Sequence, residues 1–237
     1  MNTVVGSGTL ITFPTLLALG VPPVTANVSN TVGLVPGSLS GAIGYRRELA
    51  GQRGRLLRLG VASLLGGTAG AVLLLWLPSQ AFDTIVPALI GLGVLLVVLG
   101  PTISRRVAAR AEARGTIHPD HGAPWVWPAV FGAGIYGGYF GAAQGVLLMA
   151  ILGIGVDDHL QRHNATKNVL ALLVNAVAAV VFIAVADVDW PVAGLIALGA
   201  VVGGQLGAGI GRRLPPTLLR IVIVVVGVTA LVVFLAD

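Results

Sequence analysis

Charge is what this chain has least of. Only 10% of its 237 residues are Asp, Glu, Lys or Arg, while 56% are apolar. A soluble domain covers itself with roughly a quarter charged residues, so fourteen basic and nine acidic side chains cannot solvate a globule of this length. A soluble enzyme is excluded. Cysteine is absent, which excludes disulfides, thiolate metal centres and iron–sulfur clusters. Lysine occurs once, at Lys167, and the remaining basic residues are arginine. No pair of acidic residues falls within an apolar stretch, so the ligands of an intramembrane metal-dependent transferase are missing and no enzymatic activity is expected.

What is present is apolar length. Mean hydropathy is +0.94 and several apolar runs approach twenty residues, the requirement for crossing a bilayer. The expected fold is an all-α, polytopic integral membrane protein. A span with its connection takes about thirty residues, which leaves room for seven or eight segments, read at about 4–21, 24–45, 59–77, 82–103, 125–155, 165–186, 191–211 and 217–235. Arginines gather in two places, Arg46, Arg47, Arg53, Arg55 and Arg58, then Arg105, Arg106, Arg110 and Arg114. Such clusters mark cytoplasmic loops rather than a nucleic-acid surface. The opening Met-Asn-Thr-Val-Val-Gly does not read as a cleavable leader.

Sliding the sequence along itself by 137 positions superimposes Gly8 on Gly145, Leu10 on Leu147, Asn27 on Asn164 and Ser29 on Thr166. The same shift carries Gly66-Gly67 onto Gly203-Gly204, Gly70-Ala71 onto Gly207-Ala208, and Leu77-Pro78 onto Leu214-Pro215. The chain is therefore read as two homologous halves of about four segments each, 1–103 and 125–237, joined by a basic cytoplasmic connection at 104–124, in one membrane domain. Duplicated halves are typical of secondary transporters. At this register Trp125 to Gly137 have no counterparts after Met1, so a late start or a stub-like first segment is expected. If segments one and five enter and leave on one side, the halves invert. Arg162, Arg212 and Arg213 mildly favour inversion over a parallel repeat, and the choice stays open.

The strongest site signal is a pair of glycine-interrupted segments at matching places. Gly6, Ser7, Gly8 and Thr9 open one, and Gln144 and Gly145, after Gly141, open the other. Unwound backbone at membrane depth survives only where it faces protein or a cavity. A half-helix that begins there turns amide groups and a positive dipole end toward the centre, suited to an anion. The second signal is Asn164 to Asn168 around Lys167, matched in the first half by Asn27 and Asn30. An intramembrane lysine is costly and serves a pathway or a pair, its partner being the substrate anion, Asp157 or Asp158. These asparagines supply amide donors, and Lys167 supplies charge compensation. A coupling proton would fall to Asp157 or Asp158. His159 and His163, four apart behind Asp157, fit a metal site weakly, and His118 and His121 read as loop. No metal or other cofactor is expected.

The stretch from Gly6-Ser7-Gly8-Thr9-Leu10-Ile11-Thr12-Phe13-Pro14 to Gly20 resembles the opening of the TauE/SafE sulfite exporter family. Gly145-Val146-Leu147-Leu148 and the Asn164 to Asn168 block resemble its second half. The likeness spans essentially the whole chain and rests on the order of loose Gly/Leu-rich motifs. It implies a permease of about eight segments for sulfite, sulfonates or related oxyanions. The sequence departs from the family pattern by carrying Gly-Ser-Gly and Ala-Gln-Gly where many members run three glycines, and by its short first segment. Two other readings stand beside it: a metal or cation permease using Asp157, His159 and His163, and a non-transporting scaffold whose glycines only pack helices. Oligomeric state, substrate and direction are left open.

Overall fold

A computed structural model describes residues 7–113, 122–209 and 216–236. Gly6, Arg114, His118, His121, Arg212 and Arg213 lie outside the described residues. Every element among those described is helical: α1 (Thr9–Ala18), α2 (Pro23–Gly44), α3 (Arg53–Trp76), α4 (Ser79–Ala113), α5 (Val126–Tyr139), α6 (Gln144–Gly155), α7 (Leu160–Val185), α8 (Trp190–Gly209) and α9 (Pro216–Ala236).

Among the described residues three helices have the length and hydropathy to cross a bilayer, within α3, α4 and α7. Helix α2 has 22 residues but buries Asn27, Ser29, Asn30, Thr31, Ser38 and Ser40. That polar content suits a helix enclosed by protein rather than one facing lipid. The apolar side chains left exposed on the outside, such as Leu65, Val72, Leu195 and Leu198, form the surface a bilayer would solvate.

The fifth expected segment is not one rod. Helix α5 runs inward for 14 residues, the chain breaks over residues 140–143, and α6 returns over 12. The Ala123 amide bonds to the Gly155 carbonyl at 2.7 Å, which puts both open ends of this hairpin on the same side. The pair forms a helical hairpin. Helix α1 is likewise half-length, with 10 residues. The fourth segment is longer than expected: α4 continues past Ile103 through Arg105 to Ala113, because arginines end a hydrophobic span without ending a helix.

Close backbone approach fixes α5 against α3. A Cβ on Gly66 would lie 2.2 Å from the Phe131 carbonyl oxygen, a distance no substituted residue could keep. Small residues that admit such approach drive helix association where lipid offers no hydrophobic contrast. Two apolar clusters complete the interior. One gathers Leu10, Phe13, Phe82 and Phe140, the other Leu59, Val130, Leu148 and Leu170.

Helices α2 and α7 pack against each other and run antiparallel. Arg55 at the start of α3 bonds to Asp158 just before α7, so the end of α2 and the start of α7 share the basic-loop end. The Asp189 amide donates to Ser29 Oγ at 2.9 Å, joining the start of α2 to the region just beyond α7. Thr166 Oγ1 donates to Gln52 Oε1 at 3.0 Å. In the 137-residue register Ser29 corresponds to Thr166 and Gln52 to Asp189, so these two contacts join corresponding positions. Glycine contacts follow the same rule. Gly67 lies against Val174 and Val177, and Gly204 against Gly37 and Ser40.

Candidate functional site

The start of α1 and the break before α6 approach each other inside the bundle. The ring of Phe13 meets Phe140 edge-on, centroids 5.1 Å apart. A Cβ on Gly93 of α4 would touch both Leu10 and Ala142, at 3.1 and 3.4 Å. Ser7 and Gly8 lead into α1, and residues 140–143 lead into α6. The second break is held by specific bonds. The Tyr136 hydroxyl donates to the Ala142 carbonyl, and Gln144 Nε2 donates to the Ala133 carbonyl at 3.2 Å. Gly141 takes φ 77° and Ala143 φ 60°, the left-handed region that disfavours a Cβ. Tight bonds at both helix starts, Leu10 N to Ser7 O and Val146 N to Ala143 O, take up part of each first turn's amide capacity.

Asn30 organises a polar cluster between α1 and α2. Its Nδ2 donates to Thr9 Oγ1 at 3.3 Å, and Thr12 Oγ1 donates to its Oδ1. Thr12, one helical turn beyond Gly8, is the member that sequence reasoning passed over. A cavity of about 320 Å³ lies beside this cluster, lined by Gly8, Thr12, Gly37, Ser38, Gly199 and Gly203 among others. Asn27 Nδ2 donates to the Tyr139 carbonyl at 2.9 Å. Its Oδ1, Ser7 Oγ and, on α7, Asn168 Nδ2 are buried with no hydrogen-bond partner. Buried polar atoms of this kind are rare and mark a place for water or a ligand.

Lys167 and Asn168 are buried, at 2% and 6% exposure, while Asn164 is only half-buried. The expected residues do not form one cluster. Asn30 stands eight residues from Ser38 and Lys167 eight from Asn175, about 12 Å along each helix. Asn175 Nδ2 bonds to Ser38 Oγ at 3.2 Å, and because the two helices are antiparallel, Asn30 and Lys167 fall on opposite sides of that contact. Gln144 is turned onto Gly137 of α5, so its amide serves the hairpin.

The basic-loop end holds a further polar group that the sequence did not reveal. Asp158, considered above as a partner for Lys167, is bound instead by Arg55 Nη1 at 2.6 Å and by Arg162 Nε at 2.8 Å. Burial works against its ionised form, but the bonds from Arg55 and Arg162 outweigh it and hold the carboxyl below the ordinary aspartate range. Among the described residues no three His, Asp or Glu side chains gather as a metal set. Asp158 is committed to guanidinium groups rather than to His159 or His163.

The family model described as sulfite exporter TauE/SafE matches residues 1–234. A probable membrane transporter protein, YfcA, of Escherichia coli K12 is 25% identical, the match covering 95% of this chain and 81% of the relative. A probable membrane transporter protein, ORF9, of a Sinorhizobium species is 25% identical over 100% of this chain and 88% of its own. A third, from Haemophilus influenzae Rd, is 24% identical over 95% and 85%. No solved structure matches the chain significantly.

Proposed function

Because the chain belongs to the sulfite exporter TauE/SafE family, a membrane transporter family, we propose that it moves a small oxyanion, such as a sulfonate, sulfite or carboxylate, through a site between two inverted halves. The observation that carries this reading is the approach of the start of α1 to the break before α6, where Phe13 lies on Phe140, together with a cavity of about 320 Å³ lined by α1, α2 and α8. Continuous helices at these places would give a packed bundle with no polar interior.

Three observations support the inverted layout: the antiparallel course of α2 and α7, the α5–α6 hairpin, and the corresponding contacts Ser29–Asp189 and Thr166–Gln52. In this reading Ser7, Gly8 and Thr9 form one cradle, with Asn27 and Asn30 behind it. Gly145 and the start of α6 form the other, with Gln144 bracing it. Lys167, Asn164 and Asn168 provide charge and amide donors on the second-half side, so the anion meets a neutral amide cluster and a cation in succession. Asp158, held ionised by two guanidinium groups, is poorly suited to carry a coupling proton. The basic-loop end faces the cytoplasm of a plasma membrane, following the arginine bias.

The test is anion flux into vesicles containing the purified protein. Lys167→Ala should reduce it at least tenfold, while Arg110→Ala, in the extension of α4 beyond its apolar span, should leave it within twofold. Equal effects of the two changes would remove Lys167 from the pathway.

A further inference from the structure

Arg55 is 7% exposed, and its guanidinium bonds to both Gln52 Oε1 at 2.7 Å and Asp158 at 2.6 Å. Arg162 Nε contacts both oxygens of the same carboxylate, at 2.8 and 2.9 Å, and the His159 amide adds a third donor at 2.8 Å. Arg162 also donates from Nη1 to the Ala50 carbonyl at 3.0 Å, which fixes its direction. Two oriented guanidiniums and a backbone amide converging on two oxygens form an oxyanion receptor by chemistry and geometry alike. The carboxylate it now holds is the chain's own.

A cavity of about 520 Å³ opens beside this group, with Gly51, Gln52, Arg55, Asp158 and Arg162 in its wall. Asp157 and His159 also line it, so two arginines face two aspartates in its wall. The adjoining 45–58 stretch adds Arg46, Arg47, Arg53 and Arg58 against Glu48, an excess of positive charge that favours the approach of anions. A buried arginine left without a counterion is strongly unfavourable, so an unoccupied anion site in this position needs a resident negative group.

We propose that Arg55 and Arg162 form an anion station at the basic-loop end, with Asp158 as a tethered place-holder that yields to a small oxyanion entering the adjoining cavity. Arg55 belongs to α3, while Asp158 and Arg162 belong to the loop before α7 and to α7 itself. Exchange of Asp158 for a free anion therefore removes an ionic tie between these elements, and occupancy of the station is linked to loosening of that end. The proposal rests on the anion-transport reading and adds a second stop to the path.

The experiment titrates methanesulfonate and acetate against the purified full-length chain in nanodiscs, followed by thermal shift, and against flux in vesicles. Asp158→Asn removes an intramolecular competitor and should lower the half-saturating concentration about tenfold. Arg162→Gln leaves the Arg55–Asp158 pair in place and should raise it fivefold or more. Lys167→Met should abolish flux yet keep anion-induced stabilisation, because that lysine does not line the adjoining cavity. The double change Arg55→Gln/Asp158→Asn, which is charge-balanced, should fold and lose the stabilisation. If wild-type flux occurs but Asp158→Asn and Arg162→Gln both stay within twofold of wild type, the station is overturned and the transport reading stands. If Asp158→Asn fails to fold, the Arg162→Gln and double-variant results decide alone. Absence of flux and of stabilisation for every anion in the wild-type protein would overturn both.

Discussion

Asn175 and Ser38 stand 137 positions apart and bond to each other, Nδ2 donating to Oγ at 3.2 Å. That separation equals the offset at which the sequence superimposes on itself, so under the proposed two-half layout a residue here touches its own counterpart. Such a contact arises where a two-fold axis passes between two copies of one unit. The absence of native cysteine makes the relationship easy to test. Ser38→Cys/Asn175→Cys should cross-link with a short bifunctional thiol reagent, and Asn175→Ala should cost about 0.6 kcal/mol, the average for an interhelical hydrogen bond in a bilayer.

The orientation of the halves can be read by thiol labelling in sealed vesicles. Glu48 and its counterpart Val185 should label from opposite faces, since α2 and α7 run antiparallel. Glu48→Cys and His159→Cys should label from the same face. Labelling of positions 48 and 185 from one side would mean a parallel repeat.

Gly66 and Gly203 also correspond in register, but their surroundings differ. A Cβ on Gly66 would strike the Phe131 carbonyl at 2.2 Å, whereas one on Gly203 would meet nothing within 4 Å. Gly66→Ala should therefore lower unfolding stability by about 1–3 kcal/mol, as overpacking does. Gly203→Ala should leave the thermal midpoint unchanged. Equal losses at both positions would mean that α5 does not sit on α3 as described.

Ala143 holds a left-handed conformation at the start of α6, with φ 60°. Glycine adopts it without the Cβ penalty, so Ala143→Gly should stabilise the hairpin by up to about 1 kcal/mol. Ala143→Val should destabilise it by more than that, and both are read from the thermal midpoint in detergent. A neutral valine would show that the residue is not left-handed.

The Asp158 pair carries a definite pH signature. Its folded-state pKa lies below the unfolded value, so its stabilising contribution is complete above about pH 4 and is lost as pH falls through the lowered folded value. The stability gap between wild type and Asp158→Asn, on the order of 2–3 kcal/mol for a pair this enclosed, should be the same at pH 7 and pH 5 and should close only in strong acid. A gap that narrows between pH 7 and pH 5 would contradict the assignment.

Membrane character and the break before α6 were legible in the sequence, because apolar length and a glycine-rich interruption are local signals. The return of α6 alongside α5 was open to two readings, since residues 125–155 have enough apolar length for one span or a folded pair. Helix continuation through Arg105 was hidden because charge limits a span, not a helix. Partners distant in sequence were not legible at all. Asp158 lies nine residues before Lys167 yet bonds to Arg55, 103 positions away, a choice that only the packing of α3 on α7 makes. Thr12 carried a faint signal, a hydroxyl one turn past Gly8, but nothing in its neighbours pointed to Asn30.

Lys167 is the chain's single lysine and is 2% exposed. Apart from the N-terminal amine, an amine-directed reagent therefore has one target, and that target is closed to it in this conformation. The rate at which such a reagent modifies the protein becomes a clock for how often its interior is bared to solvent, and solutes that hold it open or shut should speed or slow that clock without any engineered probe.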